Sequence, residues 1–158
     1  MRRKLLVVIS ILALSMTACG TEQTSNTVSS SAATIASSEE LPKPNTSAMV
    51  DYIARKAKEA ANISASEEKR DEAIKYIKDN YPNYFSDNET MEKTMYYGYY
   101  LEYAYSKNGS TNLYANLGMD TYQAVKYVYR NTETQDDTHV QENLRQIAEA
   151  LSELGYTV

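Results

Sequence analysis

The chain has 158 residues, with 16 Lys and Arg against 21 Asp and Glu, and a formal net charge of -5. That acidity makes nucleic acid and anionic lipid head groups poor partners. One cysteine rules out an intramolecular disulfide, and the length suits one small domain.

At the start, Arg2, Arg3 and Lys4 precede an apolar run from Leu5 to Met16, and Met16-Thr17-Ala18 leads into Cys19. A cationic segment, an apolar segment and small residues before a cut form the pattern of an export signal, here residues 1–18. As a helix the apolar run reaches about 18 Å, against roughly 30 Å of bilayer hydrocarbon, so it is too short for a permanent span.

The segment Met16-Thr17-Ala18-Cys19-Gly20 resembles the lipobox of bacterial lipoproteins, in which a small residue precedes an invariant cysteine; Met16 stands where leucine is usual. The resemblance covers the first twenty residues. It implies diacylglyceryl transfer to the Cys19 sulfur and cleavage between Ala18 and Cys19. The mature protein is then lipid-anchored on the extracytoplasmic face of the cell membrane. A thiolate is a strong nucleophile, suited to accepting lipid as a thioether. Two acyl chains anchor stably where one, at about 0.8 kcal/mol per buried methylene, is marginal. Loss of residues 1–18 removes three cations, taking the net charge from -5 to -8. The 140 residues left are too few for a two-lobed solute receptor.

Residues 19–46 are rich in Ser and Thr, lack aromatic residues and end in Leu41-Pro42-Lys43-Pro44. Such a composition cannot repay its ordering entropy by burial. It predicts a flexible tether with a root-mean-square reach of roughly 30 Å.

Residues 47–158 contain one proline, Pro82, and no alternating run long enough for a sheet, which predicts an all-α domain, a small bundle of about five helices. The first helix runs from Ser47 to Asn62 with Met49, Val50, Ile53, Ala57 and Ala60 on one face. A second starts after the cap Ser66 and ends at Asn80, closed by Pro82. The third opens at Ser86 or Asp87 and ends near Asn108-Gly109. A turn around Leu113 to Leu117 follows, with Gly118 breaking the chain and Asp120 capping a fourth helix. The last carries Val140, Leu144, Ile147, Leu151 and Leu154 at alternating spacings of four and three, a two-heptad seam ending at Gly155. EAIKYIKDN at 72–80 matches QAVKYVYRN at 123–131, and with a two-residue shift Met91 and Met95 pair with Val140 and Leu144. Two repeated helical hairpins plus an N-terminal helix are therefore a candidate arrangement, with the Met91 and Val140 seams facing each other.

The chain holds fifteen Tyr, one Phe and no Trp, and six tyrosines lie between Tyr96 and Tyr105. At about 100° per residue, Tyr96, Tyr99, Tyr100 and Tyr103 gather on one side of the third helix, and Tyr97, Leu101 and Tyr105 on another. Two readings stand: core rings with partnered hydroxyls, or a binding patch formed by Tyr96, Tyr99, Tyr100 and Tyr103 for a protein or glycan. Gly98, costing roughly 1 kcal/mol against Ala in mid-helix, predicts close approach by another helix on its side.

No catalytic, metal or cofactor site is predicted. His139 is the single histidine and reads as a surface residue, and Asp136 and Asp137 read as caps of the last helix. Glu92 and Glu102 are the carboxylates a glycosidase reading would have to use.

These features predict a non-enzymatic surface lipoprotein, in a layout that suggests a Gram-positive cell, whose helical domain binds an envelope protein or polymer. The plan of lipobox, tether and small repeated helical module resembles that of phage-encoded superinfection-exclusion lipoproteins. An enzyme or accessory subunit acting on peptidoglycan is the rival, and self-association through the 140–154 seam a third reading.

Overall fold

The computed structural model describes residues 40–106 and 112–158. The leader, the cleavage site at Ala18 and Cys19, and the tether as far as residue 39 lie outside the described residues. Within them the domain is all-helical: α1 (Ser47–Ile63), α2 (Glu67–Asn80), α3 (Asn88–Tyr105), α4 (Leu113–Tyr129) and α5 (Thr138–Glu153), with no strand among the described residues.

Short polar side chains set the starts. Thr46 Oγ1 accepts from the Met49 amide, Ser66 Oγ from Lys69 and Asp87 Oδ1 from Thr90, each satisfying one orphan donor of a helix start. Glu67 and Glu68 add acidic charge to the first turn of α2. At the far end, Gly155 (φ 87°) follows α5, and the Tyr156 amide reaches back to the Leu151 carbonyl at 2.9 Å, the 6→1 closure of a Schellman motif.

The fourth helix differs from the sequence expectation. It begins five residues before Gly118, capped by Asn112, whose Oδ1 accepts from the Tyr114 amide at 2.9 Å. Gly118 lies inside the helix, and Asp120 does not cap it but is a buried interior residue, 8% exposed. The reason is tertiary. A β-carbon on Gly118 would sit 2.5 Å from the Gly98 carbonyl oxygen and 2.7 Å from the Glu102 amide nitrogen. Two glycines facing each other let the α3 and α4 backbones approach more closely than side chains allow, and this contact offsets their poor helix propensity.

α3 and α4 make the most extensive helix contact, α1 also packs on α3, α5 packs on α4, and α2 on α3. The core joins Ile53 and Ala57 of α1, Ala73, Ile74 and Ile77 of α2, Met95 and Leu101 of α3, Leu117 and Val125 of α4, and Ile147 and Leu151 of α5. The matched segments share buried Ala73 and Ala124, and buried Ile74 and Val125. The Met91 and Val140 rows do not oppose each other as principal partners, since α3 and α5 both pack chiefly on other helices. Val140, Ile147 and Leu151 are fully buried within this chain, so the 140–154 seam is already occupied by the bundle's own core.

Asp137 stands at the α5 N-cap position, but its carboxylate turns back to accept from the Thr134 amide (2.6 Å) and hydroxyl (3.1 Å). Asp136 is exposed in the preceding turn and does not cap α5.

Candidate functional site

The tyrosines of α3 divide between core and surface. Tyr100 is 2% exposed and donates its hydroxyl to the Ser64 carbonyl at 3.1 Å. Tyr99 is 8% exposed, stacked on Tyr122 with ring centroids 4.0 Å apart and planes at 15°, and more loosely on Tyr103 at 6.1 Å. Burial raises both phenols above their ordinary values. Tyr96 and Tyr103 are half-buried. The predicted patch of Tyr96, Tyr99, Tyr100 and Tyr103 is thus not one exposed surface: two of its rings belong to the core, because α1 and α4 both pack on α3 and leave it no free side at those positions.

Other tyrosines follow the same rule of an apolar ring with a partnered hydroxyl. Tyr84 is fully buried and donates to the Ile77 carbonyl at 3.0 Å; Tyr129, also fully buried, donates to Glu92, and Tyr81 donates to the Leu144 carbonyl at 3.2 Å. Each such bond ties a ring to a different segment, and a buried hydroxyl left unmatched costs about 1–3 kcal/mol.

What remains accessible is a polar and aromatic face shared by α2 and α3. Lys69, Glu72 and Tyr96 line a cleft of about 230 Å³, together with the small exposed parts of the otherwise buried Tyr97 and Tyr100. A second depression of about 220 Å³ adjoins it, lined by Lys75, Tyr76, Asp79, Asn80 and Lys93, and shares Glu72 and Tyr97 with it. Glu72 accepts a 2.6 Å hydrogen bond from the Tyr97 hydroxyl, so the two residues common to both depressions are tied to each other. Burial first, then this carboxylate, pushes the Tyr97 phenol far above its usual range, and it stays a neutral donor at any physiological pH. Tyr96 meets Tyr97 edge to face at 5.5 Å, Tyr76 tilts against Tyr97 at 5.0 Å, and Lys93 Nζ lies 4.7 Å from the Tyr76 ring centre. Cations lie over several other rings, Lys58 over Tyr103, Arg70 over Tyr114 and Lys126 over Tyr122. Among the described residues none lies over Tyr96 or Tyr97.

The α2 half of this face is absent from the predicted site. Its signal is nevertheless in the sequence: Lys69, Glu72 and Tyr76 recur at spacings of three and four, one face of a helix.

The chemistry considered for catalysis does not converge. Glu92 holds the Tyr129 hydroxyl, whereas Glu102 lies ten residues further along α3, about 15 Å at the helical rise. Paired glycosidase carboxylates stand roughly 5–10 Å apart. Burial raises the Glu102 carboxyl, with Lys126 opposing the shift. His139 is exposed, its ring 3.7 Å from Glu133. Among the described residues no cluster of His, Cys, Asp or Glu could hold a metal ion, and no helix is long and apolar enough to cross a membrane.

No protein-family model, no curated protein and no solved structure matches this chain.

Proposed function

We propose that the chain is a lipid-anchored lipoprotein of the extracytoplasmic membrane face whose helical domain binds a polymer of the cell envelope, without catalysing a reaction. The leader pattern and the Met16-Thr17-Ala18-Cys19-Gly20 segment support the anchoring, with lipid on Cys19. The observation that carries the binding is the pair of adjoining depressions on α2 and α3, joined through Glu72 and Tyr97. Their continuity suits an extended chain better than a compact ligand. The half-buried Tyr96 and Tyr76 offer rigid amphipathic rings, and Lys69, Lys75 and Lys93 offer cations around them. A domain confined by a tether gains effective concentration toward any polymer on the same surface, so modest affinity suffices.

Co-sedimentation of the mature protein with purified cell wall tests this reading. Wild-type protein is expected in the pellet, and Tyr96→Ala or Lys69→Ala protein in the supernatant with unchanged helical content. Equal retention of all three by the wall would contradict it.

A further inference from the structure

Where the turn between α2 and α3 meets the turn between α4 and α5, the domain carries a groove of about 370 Å³, within the roughly 300–1,000 Å³ of small-ligand sites. Its apolar surface comes from Tyr81, Pro82, Phe85 and Leu144, and its polar surface mainly from Asn83, Gln135 and Gln141. Asp136 is the single charged residue lining it among the described residues. A depression of about 190 Å³ continues the groove, sharing Pro82, Asn83, Phe85 and Gln135 and adding no charge. In a chain that is 23% charged, this lining is an uncharged island. Both walls are held in place. The Tyr81 hydroxyl reaches from the end of α2 to the Leu144 carbonyl at 3.2 Å, and the Tyr84 ring, bonded to the Ile77 carbonyl, meets Phe85 edge to face at 6.4 Å. Opposite, Gln141 Nε2 donates to the Gln135 carbonyl at 2.7 Å, and the Asp137 carboxylate holds the Thr134 amide. Asn83 and Gln135 are exposed, and their side-chain amides make no hydrogen bond among the described residues.

We propose that this groove binds an uncharged saccharide. A sugar ring presents an apolar C–H face and a rim of hydroxyls, each of which both donates and accepts. The face suits the rings of Phe85 and Pro82, and the rim suits carboxamides, which carry two donors and an acceptor on one planar group. Walls already ordered by their own hydrogen bonds lose little freedom when the sugar binds. A charged partner would meet one opposing charge at most, at Asp136. A proline-rich peptide is a poorer occupant, because it brings carbonyl acceptors and few amide donors, which leaves the carboxamide oxygens of Asn83 and Gln135 idle. The Tyr81 hydroxyl that could donate to such a peptide is already taken by Leu144. The groove shares no residue with the α2 and α3 depressions and does not depend on polymer binding there.

Phe85 is the chain's single phenylalanine, so ring-labelled phenylalanine gives one reporter in the groove. The test titrates the full mature chain with tetramers of glucose and of N-acetylglucosamine while the Phe85 ring resonances are followed. The expected result is a saturable shift with at least one tetramer, weakened about fivefold in the Asn83→Ala and Gln135→Ala double variant, which is altered only at exposed positions. The shift is expected to persist in Tyr96→Ala, a change confined to the α2 and α3 face. Silence toward both tetramers, undiminished binding by the double variant, loss of the shift in Tyr96→Ala, or a stronger response to a polyproline peptide or a sulfated saccharide would overturn the assignment.

Discussion

Gly98 and Gly118 face each other where α3 meets α4: a β-carbon on Gly98 would come within 2.9 Å of the Gly118 carbonyl oxygen, and one on Gly118 within 2.5 Å of the Gly98 carbonyl oxygen. The obstacles are backbone atoms, which cannot rotate aside. Gly98→Ala and Gly118→Ala are each expected to destabilise the domain by about 1–3 kcal/mol, despite the gain in helix propensity, with Gly118→Ala the worse of the two. Urea unfolding followed by circular dichroism measures this. A higher midpoint for either variant would show that the helices do not touch at these glycines.

Tyr100 and Tyr96 sit four residues apart on α3 and are expected to behave differently. Tyr100→Ala removes a buried ring and leaves the Ser64 carbonyl without its donor, an expected loss of about 3–5 kcal/mol. Tyr100→Phe isolates the hydroxyl and costs about 1 kcal/mol. Tyr96→Ala, at a half-buried position, is expected to cost less than Tyr100→Ala and to act mainly on polymer binding. Thermal melts of the three variants rank them.

Asp120 gives the domain a pH signature. Its folded-state pKa, about 6, lies above the ordinary carboxyl value of 3.8, so the folded protein binds more protons than the unfolded one between those values. Ionising the group therefore costs stability as pH rises through 6, and the cost is absent below about 4. Asp120→Asn is expected to stabilise the domain by about 1 kcal/mol at pH 7.5, an advantage that fades by pH 4. Comparing variant with wild type cancels Glu142, whose pKa Arg145 lowers to about 2, and which acts in the opposite sense. Denaturant midpoints of the two proteins across pH 4 to 8 measure the difference.

Lipidation is tested at the residue that would carry it. Cys19→Ser is expected to abolish incorporation of labelled fatty acid and to release the protein from the membrane fraction or leave an uncleaved precursor. Retained lipid label in that variant would place the modification elsewhere.

Much of the fold was legible because its signals are local. Ser66, Asp87 and the four-three spacing of α5 each act within one helix, and periodicity reports such features directly. Gly118 was not legible, because glycine's usual role as a breaker is overruled by a contact twenty residues away in sequence. The tyrosine site was half legible for the same reason. Spacing placed Tyr96, Tyr99, Tyr100 and Tyr103 together on α3, but which rings α1 and α4 would cover depends on long-range packing. The partner half of the face, Lys69, Glu72 and Tyr76, required knowing that α2 lies alongside α3.

The most direct test of the binding face is a solution NMR titration of the mature protein, with tyrosine rings labelled, by soluble cell-wall fragments. The account predicts that the resonances of the half-buried Tyr96 and Tyr76 shift together and saturably, while those of the enclosed Tyr84 and Tyr129 do not move. Shifts confined to tyrosines outside the α2 and α3 face, or no shift at saturating fragment, would contradict it.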